Sequence, residues 1–311
     1  MRRYFILFIS ITLFSISCGG QKPPNLKIEK VYLDHLDSTK NCYTLIYPPK
    51  LPWKGYIFLL PGLGETAERV LQQSTLPKKL ALKGILTVIP TFQDGVLSFG
   101  VDSLSQLSFG IILKDIKSKH NLSGLRFYVG GYSIGGSCAI KYAENSLIKP
   151  SAIFAVDPPL DFERLYYSAK RDIRLSKGLE PNPENFYIIE RLEKETGGNP
   201  EAKLSEYYSF SPYSFSDTSQ TAIKKLGNLP LRIYTEPDIR WWMEERRSDF
   251  TSMNSTECSA LINELNRLGN SNAKLITTHN RGYRKPDNSR HPHSWSIVDD
   301  EELIKWLLKQ N

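Results

Sequence analysis

Apolar residues in this chain fall into short unbroken runs separated by stretches with helical spacing. Residues 56–60 (Tyr-Ile-Phe-Leu-Leu) form an unbroken apolar run of strand length, and 85–89, 125–132, 151–156, 231–235 and 274–278 read as further strands. Runs of this kind mark strands buried on both faces, where neither side of the sheet meets water. Two further strands are predicted at 27–34 and 42–48, the second closed by Pro48-Pro49. Helical spacing of apolar positions follows at 65–83, about 102–119, after residue 133, near 251–268 and over 299–309, as amphipathic helices require. Strands alternating with helices imply a mainly parallel sheet covered on both faces, with right-handed crossovers. From 157 to about 230 the alternation stops. That stretch is rich in Tyr, Lys, Glu and Pro and is too long for a connecting loop, so it reads as a largely helical insertion at about 158–229.

The N-terminus is of a different kind. Met1-Arg2-Arg3 precedes an apolar run over 5–14, and Ser15-Ile16-Ser17-Cys18-Gly19-Gly20 follows, which is the basic, apolar, small-residue order of an export signal. The run is shorter than the roughly 20 residues that span a bilayer. This segment resembles a bacterial lipoprotein signal. The resemblance implies that residues 1–17 are removed, that Cys18 is lipidated, and that the protein is anchored to a membrane in the cell envelope. Residues 18–26, polar and carrying Pro23-Pro24, then form a tether to one large α/β domain over 27–311. The formal charge of +7, two units of it on Arg2 and Arg3, is mild and unclustered, which argues against nucleic acid as a partner. Besides Cys18 there are Cys42, Cys138 and Cys258, with no close pairs, a pattern unlike a zinc site or a disulfide framework. Cys138, one turn into the helix after Ser133, reads as a core residue.

The chemistry centres on Gly131-Tyr132-Ser133-Ile134-Gly135, where a strand runs directly into a helical pattern. A strand-to-helix turn this sharp forces Ser133 into a strained conformation, and the two glycines remove side chains that would collide with the neighbouring strand and helix. The hydroxyl is left at a helix N-terminus, where the Ile134 N–H and the helix dipole favour negative charge. A serine hydroxyl needs a base, and the base needs a third group to fix its tautomer. Nucleophile, acid and histidine in that chain order resemble the α/β hydrolase superfamily over residues 27–311, with a cap inserted after the strand that follows Ser133. The resemblance implies an eight-strand sheet, acyl transfer without a cofactor, and a triad on loops at the carboxyl ends of the strands.

Five histidines are available. His35 and His120 precede the serine, and His279 ends the last strand. The segment Arg290-His291-Pro292-His293-Ser294-Trp295 lies just before the final helix, where the superfamily carries its base, so His293 is the best match, with His291 and His279 as alternatives. For the acid, Asp238 lies three residues past the strand at 231–235 and matches the superfamily position, while Glu236 and Asp157 are the alternatives. In the superfamily the second oxyanion donor follows the third strand, and the matching Pro61-Gly62-Leu63-Gly64 offers the Leu63 N–H beside that of Ile134. The insertion tyrosines Tyr166, Tyr167, Tyr187, Tyr207, Tyr208 and Tyr213, with Trp241 and Trp242, are suited to line a substrate site or to pack the cap on the core. The expected protein is an envelope-anchored serine hydrolase acting on a small-molecule or polysaccharide-linked ester. A serine peptidase or amidase, and a silent binding protein of the same fold, are the other readings.

Overall fold

The computed structural model describes residues 25–34, 36–176 and 180–310. The expected signal peptide, Cys18, most of the tether and His35 lie outside the described residues. In chain order the elements are β1 (Ile28–Tyr32), β2 (Cys42–Ile46), β3 (Gly55–Leu60), α1 (Ala67–Gln73), α2 (Leu76–Leu82), β4 (Ile85–Thr91), α3 (Ser103–Lys119), β5 (Arg126–Tyr132), α4 (Ile134–Asn145) and β6 (Ala152–Val156). Four helices follow, α5 (Phe162–Leu175), α6 (Pro183–Thr196), α7 (Pro200–Phe210) and the single turn α8 (Thr221–Lys224). The chain then returns to the sheet with β7 (Leu231–Thr235), α9 (Ile239–Arg246), α10 (Ser255–Arg267), β8 (Ala273–Thr277), the short hairpin β9 (Tyr283–Arg284) and β10 (Ser289–Arg290), and α11 (Asp300–Leu307).

The main sheet has eight strands in the order β1-β2-β4-β3-β5-β6-β7-β8. β1 and β2 run antiparallel to their neighbours, and all pairs from β4 to β8 are parallel. Side chains alternate across the pleat, so a run that is apolar throughout feeds two cores. Phe58 packs with Phe109 of α3 and Tyr142 of α4 on one face, while Ile57 and Leu59 join Val70, Leu80 and Ile304 on the other. Phe58, Phe109 and Tyr142 stack with ring centroids 4.5 and 4.0 Å apart. The predicted helix at 65–83 is two helices, because the Ser74 backbone leaves the helical region at φ −136° and the next helix restarts with Pro77 in its first turn.

The inserted helices α5 to α7 form a third apolar cluster over the carboxyl ends of the strands, in which Phe162, Tyr166, Ile188, Leu192 and Tyr207 pack on Phe99 and Ile134. Polar ties reinforce it. Arg191 of α6 pairs with Asp94 at 2.6 Å, and the buried Lys141 ammonium of α4 donates to the carbonyls of Ser209 and Ser211, capping the end of α7. Cys42, Cys138 and Cys258 are buried and free. Among the described residues no helix is long and apolar enough to cross a membrane, and no group of three His, Cys, Asp or Glu residues is arranged to hold a metal ion.

Candidate active site

Ser133 sits in the turn between β5 and α4 with φ +52° and ψ −127°, a region costly for a residue with a Cβ. The surroundings hold it there. Its N–H donates to the Val156 carbonyl at 2.8 Å, continuing the β5–β6 ladder, and its own carbonyl accepts from the Gly136 N–H at 2.8 Å. A Cβ on Gly131 would be driven into the Gly135 carbonyl, and one on Gly135 into the carbonyls of Leu60 and Pro61. Gly135→Ala is therefore expected to cost about 1–3 kcal/mol of stability, since the obstacle is backbone that has little room to yield. Gly110→Ala on the exposed side of α3, where an added Cβ meets nothing, is expected to be neutral or stabilising by up to about 1 kcal/mol. Urea unfolding of the two variants measures the contrast.

Although Ser133 occupies the N-cap position of α4, its side chain makes no capping hydrogen bond, so the hydroxyl is not committed to the helix. It faces a cavity of about 690 Å³ lined also by Leu63, Ile134, Asp157 and His293. In the loop after β3, the Gly62 N–H is taken by Glu65 at 3.0 Å and the Gly64 N–H by the Val96 carbonyl at 2.8 Å. That leaves the Leu63 N–H of this loop without a protein acceptor among the described residues, beside the first turn of α4.

The histidine loop follows the β9–β10 hairpin. His293 Nδ1 donates to Asp157 Oδ2 at 2.6 Å, an arrangement in which the neutral ring carries its proton on Nδ1 and presents Nε2 as the acceptor. The His293 ring lies 4.7 Å from that of Tyr132, the residue before the serine, and its carbonyl accepts from the Tyr132 hydroxyl at 2.8 Å. Asp157 follows β6 directly. Its positive φ of +48° is a conformation that Asp tolerates better than most residues. It is pinned on both sides: its N–H donates to the Tyr234 carbonyl at 2.7 Å, and its carbonyl accepts from Asn254 Nδ2 at 2.9 Å.

The expectation that Asp238 orients the histidine is corrected by this geometry. Asp238 caps α9 through the Trp241 N–H at 3.2 Å and pairs with Arg290 at 2.6 Å. Glu236, buried at the end of β7, also grips Arg290 at 2.7 Å and accepts from Thr278 Oγ1 and from the N–H groups of Arg281 and Gly282. Arg290 completes the arrangement by donating to the Gly282 carbonyl. The two acids after β7 therefore hold the hairpin that presents the histidine, and neither meets the histidine itself. The chain signal for Asp157 was its place immediately after a core strand. The contribution of Asn254 carried no signal, because it comes from a helix almost a hundred residues away.

His291 is buried, with Trp241 at 4.7 Å and Arg246 donating to its Nε2 at 3.3 Å. Burial, together with the charges of Arg284 and Arg246, lowers its pKa to about 2, so it stays neutral. His279 contacts Asn280 on an exposed turn, and His120 packs against Tyr47 and Trp53. None of the six insertion tyrosines lines the cavity, whereas Trp242 does. Tyr166, Tyr207 and Tyr213 are core residues.

No protein-family model matches the chain, and no curated protein matches it. Solved structures do. S-formylglutathione hydrolase from Agrobacterium tumefaciens superposes with a TM-score of 0.55 at 15% identity, over 92% of this chain and 95% of that one. A soluble variant of monoglyceride lipase from Saccharomyces cerevisiae gives 0.54 at 14% identity, over 93% and 95%. The chain has the α/β-hydrolase fold. The same fold is shared with FphF, a fluorophosphonate-binding serine hydrolase of Staphylococcus aureus, at a TM-score of 0.56 and 14% identity over 92% of this chain and all 100% of that one. Ser133 and Asp157 follow the sheet strands β5 and β6 at their carboxyl ends, and His293 follows the separate β9–β10 hairpin that comes after β8.

Proposed function

We propose that the protein is a serine hydrolase, most specifically a carboxylic ester hydrolase, in which Ser133 is the nucleophile, His293 the general base and Asp157 the acid. The observation that carries the proposal is the 2.6 Å hydrogen bond from His293 Nδ1 to Asp157 in the cavity that also exposes Ser133 on its strained turn. Ser133 Oγ attacks the ester carbonyl as His293 Nε2 takes its proton, and the same proton then passes to the departing alkoxide. Water attacks the acyl-enzyme as His293 takes its proton, and that proton returns to Ser133 Oγ as the carboxylic acid leaves. The tetrahedral oxyanion forms between the N–H groups of Leu63 and Ile134, where the α4 dipole adds to them. The solved neighbours described as hydrolases and lipases are consistent with this chemistry. The N-terminal segment further supports placement in the cell envelope, tethered through a lipid on Cys18.

The test is labelling of the full-length chain with a fluorophosphonate probe beside Ser133→Ala, followed by a panel of 4-nitrophenyl esters and anilides. Covalent labelling present only with Ser133, and turnover of esters ahead of anilides, is the expected result. A folded protein that neither labels nor turns over any ester would refute the assignment.

A further inference from the structure

The arginines around the histidine loop divide into two groups. Arg240 pairs with Glu244, Arg281 with Asp299, and Arg290 with Glu236 and Asp238. None of these three lines the cavity. Arg246, Arg247 and Arg284 do line it, and among the described residues none of them has a carboxylate partner. Arg284 Nη2 reaches only two neutral acceptors, the Tyr132 hydroxyl at 3.4 Å and the His293 carbonyl at 3.3 Å. Arg246 Nη2 reaches only the neutral Nε2 of His291. With that nitrogen accepting, the His291 proton sits on Nδ1, a buried donor that has no partner. One wall of the cavity thus presents guanidinium groups whose donors are met by weak neutral acceptors. Carboxylates line the cavity too, and among the described residues none of them pairs with these three arginines. Asp157 is held by His293 and Glu236 by Arg290. Asp172, Glu180 and Glu184, from the inserted segment, and Glu245 of α9 also line the cavity.

We propose that the wall formed by Arg284, Arg246 and His291 is a subsite for a carboxylate, so that the substrates are esters bearing a carboxylate in addition to the ester that is cleaved. This rests on the serine-hydrolase reading of the same cavity. A guanidinium fork matches a carboxylate with two parallel N–H donors. The subsite adjoins His293, whose carbonyl accepts from Arg284.

The experiment compares kcat/KM for acid and neutral ester pairs on the full-length chain. In one arm the charge is on the acyl side, 4-nitrophenyl hydrogen glutarate against 4-nitrophenyl valerate. In the other it is on the alcohol side, 4-(butyryloxy)benzoate against 4-(butyryloxy)benzamide. One arm is expected to favour the acid by about tenfold or more, and the arm that does so identifies which half of the ester occupies the wall. The preference is expected to shrink in 0.5 M NaCl, to disappear in Arg284→Gln and in Arg246→Gln, and to survive in part in Arg284→Lys. Arg246, at the end of an exposed helix, keeps the test decisive if Arg284→Gln is unstable. Fluorophosphonate labelling without acid preference in either arm, or a preference indifferent to both arginines, overturns the subsite and leaves the serine hydrolase standing. Absence of both labelling and turnover overturns both.

Discussion

His293→Ala is expected to lower kcat toward an activated ester by on the order of 10⁴ to 10⁶, with little change in KM and no loss of fold. His291→Gln is expected to lower it by about tenfold at most. The two residues are two positions apart but not interchangeable. A general base must become an imidazolium during the reaction, and only His293 has a carboxylate to stabilise that charge. His291 is buried against Trp241 with two guanidinium groups nearby, and its pKa of about 2 expresses how strongly that pocket opposes protonation. Steady-state kinetics on both variants, with thermal melts to verify folding, separates them. Equal losses, or a larger loss at His291, would place the base at the wrong residue.

The strands were legible because short stretches rich in apolar and β-branched residues, bounded by turn residues, have few other uses, and β3 to β8 lie within a residue or two of the stretches that predict them. Helix ends set by local caps were also readable. Asp102, for example, caps α3 through the Ser105 N–H. The α9 helix was not expected, since it has no buried residues at all and hence no apolar stripe to betray it. The β9–β10 hairpin, with two residues in each strand, is held by Arg290 and Glu236, a contact between distant segments that periodicity does not carry.

The elbow was legible because its demand for glycine is written in five consecutive residues, although only the collision at Gly131 is with nearby backbone and that at Gly135 is with the end of β3. The acid was harder because the choice depends on which strands are neighbours. β5 pairs with β6, and Tyr132 lies in register with Val156. Ser133 and Asp157 therefore leave the sheet side by side, about 4.8 Å apart in strand spacing. Asp238 leaves from β7, one strand further away, and the Glu236-Pro237 turn carries it onto the start of α9.

The same geometry sets the second large effect. Asp157→Asn is expected to reduce kcat by about 10⁴, as the amide presents an N–H where a carboxylate held the Nδ1 proton and turns the imidazole to the tautomer that cannot accept from serine. The substitution is a clean one. Asn occupies the positive-φ region as readily as Asp, and both backbone bonds that pin residue 157, to Tyr234 and Asn254, involve its own N–H and C=O. Thermal stability should therefore change little while turnover collapses and fluorophosphonate labelling slows in parallel. Asp238→Asn should behave in the opposite way. It loses an ion pair with Arg290 while keeping the α9 cap, because Asn caps as well as Asp. Glu236 still holds Arg290, so kcat should fall by no more than about tenfold. Measured together, the two variants weigh the carboxylate that touches the histidine against the one that only supports its loop. A greater loss at Asp238 than at Asp157 would return the acid to the end of β7.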